Sequence, residues 1–84
     1  MKQIYKLEFE SAQLDKWYQR AVTGINIRNE DIPDAMWEKV SRETDNPWQQ
    51  YNQLRTWVRE DTQAVRNVKL YKMVGEPIWE EVIQ

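Results

Sequence analysis

The chain has 84 residues and a formal net charge of −2, and charged side chains make up 31% of it. A chain of this length forms one domain, residues 1–84, and buries roughly 60–65% of its unfolded surface. Cysteine and histidine are absent, which excludes disulfides, the usual zinc sites, and the Ser-His-Asp and Cys-His arrangements of many hydrolases.

Other function classes are excluded by what the sequence lacks. It contains no apolar run near the ~20 residues of a membrane-spanning helix, and its first residues alternate between polar and apolar. Its two glycines, Gly24 and Gly75, are too far apart in the chain for the glycine-rich motifs that hold phosphates or for a nucleophile elbow. We therefore expect a cytoplasmic protein that has no cofactor, no metal and no membrane contact, and that is not an enzyme.

The first predicted elements are a strand and a helix. Tyr5, Leu7 and Phe9 alternate with charged residues, which is typical of a half-buried strand. Ser11 suits the N-cap of a helix that ends at Gly24. Its apolar face has helical spacing and is expected to be buried. That face consists of Leu14, Trp17, Tyr18, Ala21 and Val22.

Two more helices are predicted in the middle of the chain. Pro33 suits the first turn of the second helix, whose apolar face would hold Met36, Trp37 and Val40. Asn46-Pro47 ends that helix and begins the third, with Gln49 placed for a capping box. The third helix is expected to run to about Gln63.

A β-hairpin is predicted at the end of the chain. Residues 68–74 are rich in strand formers, Gly75-Glu76-Pro77 is typical of a turn, and 78–83 alternate loosely. The expected fold class is α+β, with a small three-stranded, mainly antiparallel sheet. The element order would be β-α-α-α-β-β, and helices would pack on one face of the sheet.

Three carboxylates would lie close together on the second helix. Asp31, Asp34 and Glu38 have spacings of three and four residues. Such a group could bind Mg²⁺ or Ca²⁺ or act as an acid–base pair. We favour the alternative that the acidic residues complement the dipole at the start of a helix, because nothing else in the sequence indicates a metal.

The most basic part of the chain lies towards its C-terminal end and contains interleaved aromatic residues. Its cations are Arg55, Arg59, Arg66, Lys69 and Lys72. Arginines beside aromatics suit single-stranded nucleic acid or a nucleotide. Glu60 and Asp61 occur within the same stretch, so a mixed charged surface with salt bridges along the helix is the favoured interpretation.

The five tryptophans are the best functional indication. A domain this small has little room to bury all of them, and we expect Trp48 and Trp79 to be partly exposed. Exposed Trp and Arg side chains are frequent anchors of protein interfaces. The predicted interaction residues are Trp48, Tyr51, Arg55, Trp57, Arg59, Arg66, Tyr71 and Trp79.

Three kinds of binding function remain open at this stage. The first is a non-enzymatic module that binds a protein partner. The second is a homodimer or higher oligomer that sequesters an anionic nucleotide, with arginines on the phosphate and an aromatic ring on the base. The third is a nucleic-acid-binding accessory protein that uses the basic stretch.

The closing hairpin resembles a known class of proteins. Its residues 67–72 (NVKLYK) and 78–82 (IWEEV) are similar to the last hairpin of many small accessory proteins of bacteriophages and prophages. This resemblance implies a short protein made in the host cytoplasm during infection. Such proteins often act by binding, for example as inhibitors of a host or defence protein.

Overall fold

An antiparallel sheet of four strands runs through residues 3–82, which the computed structural model describes. The strands are β1 (Tyr5–Ala12), β2 (Trp37–Thr44), β3 (Val65–Gly75) and β4 (Ile78–Glu81), in the order β2-β1-β3-β4. The helices are α1 (Lys16–Thr23) and α2 (Pro47–Glu60). The prediction of an α+β fold is confirmed, but the sheet has four strands and the element order is β-α-β-α-β-β.

The second predicted helix is wrong. Pro33 is followed by a single 3-10 turn, Asp34–Met36, and the chain then enters β2. β2 pairs along its whole length with β1, from Ala12 opposite Trp37 to Tyr5 opposite Thr44. Hydrogen bonding to the edge of β1 therefore prevailed over a local pattern of three apolar residues that also suited a helix.

The other elements agree with the sequence apart from their ends. Ser11 belongs to β1, and Asp15 caps α1 by accepting a hydrogen bond from the Tyr18 amide at 3.0 Å. Gly24 ends α1 in the left-handed conformation, with φ of 73°. α2 ends at Glu60, three residues earlier than predicted. The hairpin is present as β3 and β4; Ile83 lies outside the described residues.

The main core lies between one face of the sheet and α2. Its buried members are Leu7, Phe9, Tyr51, Leu54, Val65 and Leu70. A second, smaller cluster covers one end of the opposite sheet face. It consists of Ala12, Ile32, Trp37 and Ala64, with Leu14, Ile27 and Met36 packed against them.

A β-bulge in β3 decides which of its residues enter the core. Glu8 pairs with Lys69 but Glu10 pairs with Arg66, so β3 holds one extra residue between these pairs. Asn67 has a φ of 55°, a left-handed conformation that asparagine tolerates better than most residues. Because of the extra residue, Val65 joins the core and Arg66 projects from the opposite face.

Candidate functional site

The apolar side of α1 faces solvent. Trp17 is 68% exposed, Tyr18 62% and Val22 63%, and Ile25 just beyond the helix is 64% exposed. We call these four residues the α1 patch. In a surface helix of a folded domain the apolar stripe normally faces the core. Here the helix has the expected stripe, but the stripe is turned away from the body of the protein.

A lysine holds α1 to the rest of the protein. Lys16 is 6% exposed, and its Nζ lies 2.5 Å from Asp61 Oδ1 and 3.1 Å from the Asp61 carbonyl oxygen. Asp61 follows the last residue of α2, where the helix dipole favours a cation. The Asp61 carboxylate also accepts a hydrogen bond from the backbone N–H of Asn29 at 3.1 Å. Lys16 therefore fixes which side of α1 faces inward, and the α1 patch faces outward as a result.

One side of α2 carries several of the predicted interaction residues. Tyr51 is buried, and its hydroxyl accepts a hydrogen bond from Arg55 at 2.9 Å. The Trp48 ring packs edge-on against Tyr51 with centroids 6.4 Å apart, and Trp48 remains 42% exposed. Arg55 and Arg59 are exposed and line a shallow cavity of about 320 Å³ with Asn52 and Thr56. Trp48, Arg55 and Arg59 thus form one exposed surface on α2.

Trp57 lies on the other side of α2, in a groove between that helix and β2. The groove has a volume of about 460 Å³, and Trp57 is half-buried in it. Much of its lining is made of amide side chains, and the Oε1 atom of Gln50 is buried there without a protein hydrogen-bond partner. The lining residues are Arg42, Glu43, Asn46, Gln49, Gln50, Gln53, Leu54 and Trp57.

Tyr71 and Trp79 lie on the sheet face opposite α2, which we call the open face. The Nζ of Lys6 lies 4.5 Å from the centre of the Trp79 ring and 5.3 Å from that of Tyr71. Burial raises the pKa of the Tyr71 hydroxyl, and Glu8 and Glu81 raise it further. Both aromatic rings are half-buried, so the lysine and the two rings form one packed group.

Arg66 is held by acidic and aromatic neighbours at the far end of the open face. It forms a salt bridge with Glu10 at 3.2 Å and a second with Asp34 at 3.4 Å, and it stacks over Trp37 at 4.3 Å. Asn67 also donates a hydrogen bond to Glu10. This bond, together with Arg66, holds the pKa of Glu10 below its ordinary value.

The structure therefore separates the predicted interaction residues. Trp48, Arg55 and Arg59 share one exposed surface of α2, whereas Trp57 lies across the helix from them. Arg66, Tyr71 and Trp79 lie on the other side of the sheet. The partial exposure predicted for Trp48 and Trp79 is present, but Trp17 is the most exposed tryptophan. Sequence reasoning missed Trp17 because its helical spacing indicated a buried face.

The three carboxylates with helical spacing are not brought onto one helix. Asp31 ends a 3-10 turn, Asp34 begins another, and Glu38 belongs to β2, where it accepts a hydrogen bond from Gln13 at 2.8 Å. Across residues 3–82 no three acidic side chains converge in a way that could hold a metal ion.

Among the same residues, neither helix has the length and apolarity needed to cross a bilayer. Comparisons of the chain with protein-family models, with curated proteins and with solved structures gave no match.

Proposed function

We propose that this chain is a non-enzymatic protein-interaction module whose main contact surface is the α1 patch. The observation that carries the proposal is the orientation of α1, which buries a lysine and exposes its apolar stripe. Its two aromatic residues, each about two-thirds exposed, leave on the order of 100–170 Å² of surface apiece in water. Exposed apolar patches of a few hundred Å² commonly mark interaction sites.

The partner that fits this surface is a different protein with an apolar groove. A short helix that presents Trp17, Tyr18 and Val22 resembles the anchors used in helix-in-groove recognition. The two cavities described above on α2 are lined mostly by polar and charged side chains, so neither of them offers Trp17 an apolar groove on a second copy. The resemblance of the hairpin favours a host or defence protein that is inhibited when its groove is filled.

The distribution of cations supports a protein partner over a nucleic acid. Arg55 and Arg59 lie on α2, whereas Arg66 and Lys69 project from the open face on the other side of the sheet. Arg66 is already paired with carboxylates. A phosphate backbone would need several cations along one continuous surface.

The proposal is tested with paired tryptophan variants. Trp17→Asp changes the α1 patch, and Trp48→Asp makes the same change at another exposed tryptophan, on α2. We expect a partner recovered from the native host to bind the wild type and Trp48→Asp, and to lose at least tenfold in affinity for Trp17→Asp, as at an interface anchor. Far-UV circular dichroism of both variants checks the fold, which matters most for Trp48→Asp because Trp48 also packs against Tyr51.

Two outcomes would contradict this assignment. If the partner is lost with Trp48→Asp and Arg55→Glu but retained with Trp17→Asp, the contact surface is the one on α2. If binding weakens steeply with salt and not with either tryptophan change, charge contacts of the kind made with phosphates dominate.

A further inference from the structure

β2 is an edge strand with an unusual order of charges. Among residues 3–82 its only strand partner is β1, and its outer side faces no other strand of the described sheet. Its sequence contains Glu38-Lys39-Val40-Ser41-Arg42-Glu43, and the four charged side chains are exposed. The charges read −, +, neutral, neutral, +, −, which is the same in both directions.

This order of charges disfavours one antiparallel register of two β2 strands. It favours the two registers that are shifted from that one by a single residue. If the two-fold axis fell between Val40 and Ser41, Glu38 would face Glu43 and Lys39 would face Arg42. Like charges directly opposite one another destabilise a strand pair. If the axis passes through Val40 instead, Glu38 lies opposite Arg42 of the second copy, and this pair occurs twice.

We propose that β2 pairs with β2 of a second copy, antiparallel, with the two-fold axis at Val40. Val40 then faces its own copy on the α2 side of the sheet, where it already packs against the main core. β-branched cross-strand pairs of this kind are favourable. On the open face Lys39 lies opposite Ser41 of the second copy, with Glu43 and Lys39 of that copy as its two diagonal neighbours. Glu8 of the same copy, 3.4 Å from the Lys39 Nζ, offsets the repulsion between the two lysines.

The charges on β2 thus have two effects. Charged side chains on an edge strand discourage pairing with arbitrary strands. The same side chains complement this chain's own sequence in the two registers that bring opposite charges together, and of these the Val40 register also places two β-branched side chains opposite each other. The resulting sheet would have eight strands, and the groove beside Trp57 would have the second copy's strand along its open side.

This surface is independent of the α1 patch, so the two proposals can fail separately. The test measures the mass in solution, by sedimentation or native mass spectrometry, over a wide range of concentrations and at low and high salt. Glu38→Arg and Arg42→Glu should each weaken the dimer on the order of tenfold, because two symmetry-related pairs change from attraction to repulsion. The double variant Glu38→Arg/Arg42→Glu should restore the dimer.

Matched controls separate charge pairing from a general effect of charge. Glu80→Arg changes an exposed residue on the other edge strand, and Arg59→Glu changes an exposed residue on α2; both should leave the dimer unchanged. Arg42 also lies 5.4 Å from the Phe9 ring, so thermal unfolding of each variant is needed to show that its fold is intact.

Three results would overturn the proposal. The first is a monomer at every concentration. The second is that the double variant Lys39→Glu/Glu43→Lys restores a dimer that its two single variants weaken, whereas Glu38→Arg/Arg42→Glu does not. This result would place the two-fold axis at Ser41. The third is a dimer that tolerates all the β2 variants and is lost with Trp17→Asp, which would assign self-association to the α1 patch.

Discussion

Asp61→Asn should destabilise the protein more than Lys16→Met, although both changes break the same ion pair. Asparagine keeps the shape of the side chain and tolerates the left-handed φ of 55° at this position. The variant therefore removes the negative charge and leaves Lys16 buried without a counter-ion. Lys16→Met instead removes the buried cation and fills its place with an apolar chain of similar length.

The burial of the two side chains sets the expected magnitudes. The Lys16 side chain is 4% exposed and that of Asp61 is 26% exposed. Loss of one partner from a fully buried pair costs about 3–5 kcal/mol. Because Asp61 is partly solvated and Lys16 keeps its bond to a carbonyl oxygen, we expect about 2 kcal/mol for Asp61→Asn, or roughly 10 °C in Tm. For Lys16→Met we expect about 0–1 kcal/mol, since a solvated carboxylate remains.

Urea unfolding followed by tryptophan fluorescence would measure these differences. The double variant Lys16→Met/Asp61→Asn should be more stable than Asp61→Asn alone, because it removes the unpaired cation. Asp45→Asn, an exposed aspartate between β2 and α2, serves as the control for loss of one negative charge. Equal losses for the two single variants, or strictly additive losses in the double variant, would refute the view that Lys16 needs Asp61 in order to be buried.

Three further predictions concern the acid range, the end of α1 and the exposed tryptophan. The hydrogen bond from Asn67 helps to lower the pKa of Glu10. The ionised Glu10 side chain therefore stabilises the fold above its ordinary pKa of 4.5, and this stabilisation is lost as the pH falls through the lowered pKa. In Glu10→Gln the midpoint of urea unfolding should depend less on pH in the acid range than in the wild type. Gly24→Ala should cost about 1–2 kcal/mol in thermal unfolding, because φ is +73° and an added Cβ meets nothing within 4 Å, so the cost is conformational. Trp17→Phe should remove more of the iodide-quenchable fluorescence than Trp37→Phe does, since Trp37 is buried.

The elements with a strong local pattern were predictable from the sequence. The alternation around Leu7 and Phe9, the proline at the start of α2 and the turn at Gly75 all correspond to observed features. Leu7, Phe9 and Pro47 are also buried, so at these positions the local preference and the packing agree, whereas the turn follows from its glycine and proline alone.

β2 could not be predicted from its own residues. It is an edge strand with most of its side chains in solvent, so it lacks the alternation that a strand with one buried face shows. Its conformation is set by hydrogen bonds to β1, which lies 25 residues or more earlier in the chain at every pair. A pattern method that scans neighbouring residues carries no information about that partner.

The orientation of α1 was missed for a different reason. The spacing of apolar residues identifies a stripe on the helix, but it does not show whether that stripe faces the protein or the solvent. That choice depends on the contact between Lys16 and Asp61, which are 45 residues apart. The same limit applies to the predicted interaction residues, because closeness in sequence does not show which side of a sheet a residue occupies.

The bulge at Asn67 makes β3 sensitive to a change in chain length. Because successive side chains of a strand alternate between the two faces, deletion of Asn67 alone would exchange the faces of the residues that precede it, relative to Leu70. The Arg66 side chain would then point into the apolar core, and the Val65 side chain would point into solvent. Natural variants that lose this one residue should therefore also lose, or gain, a second residue nearby in the strand.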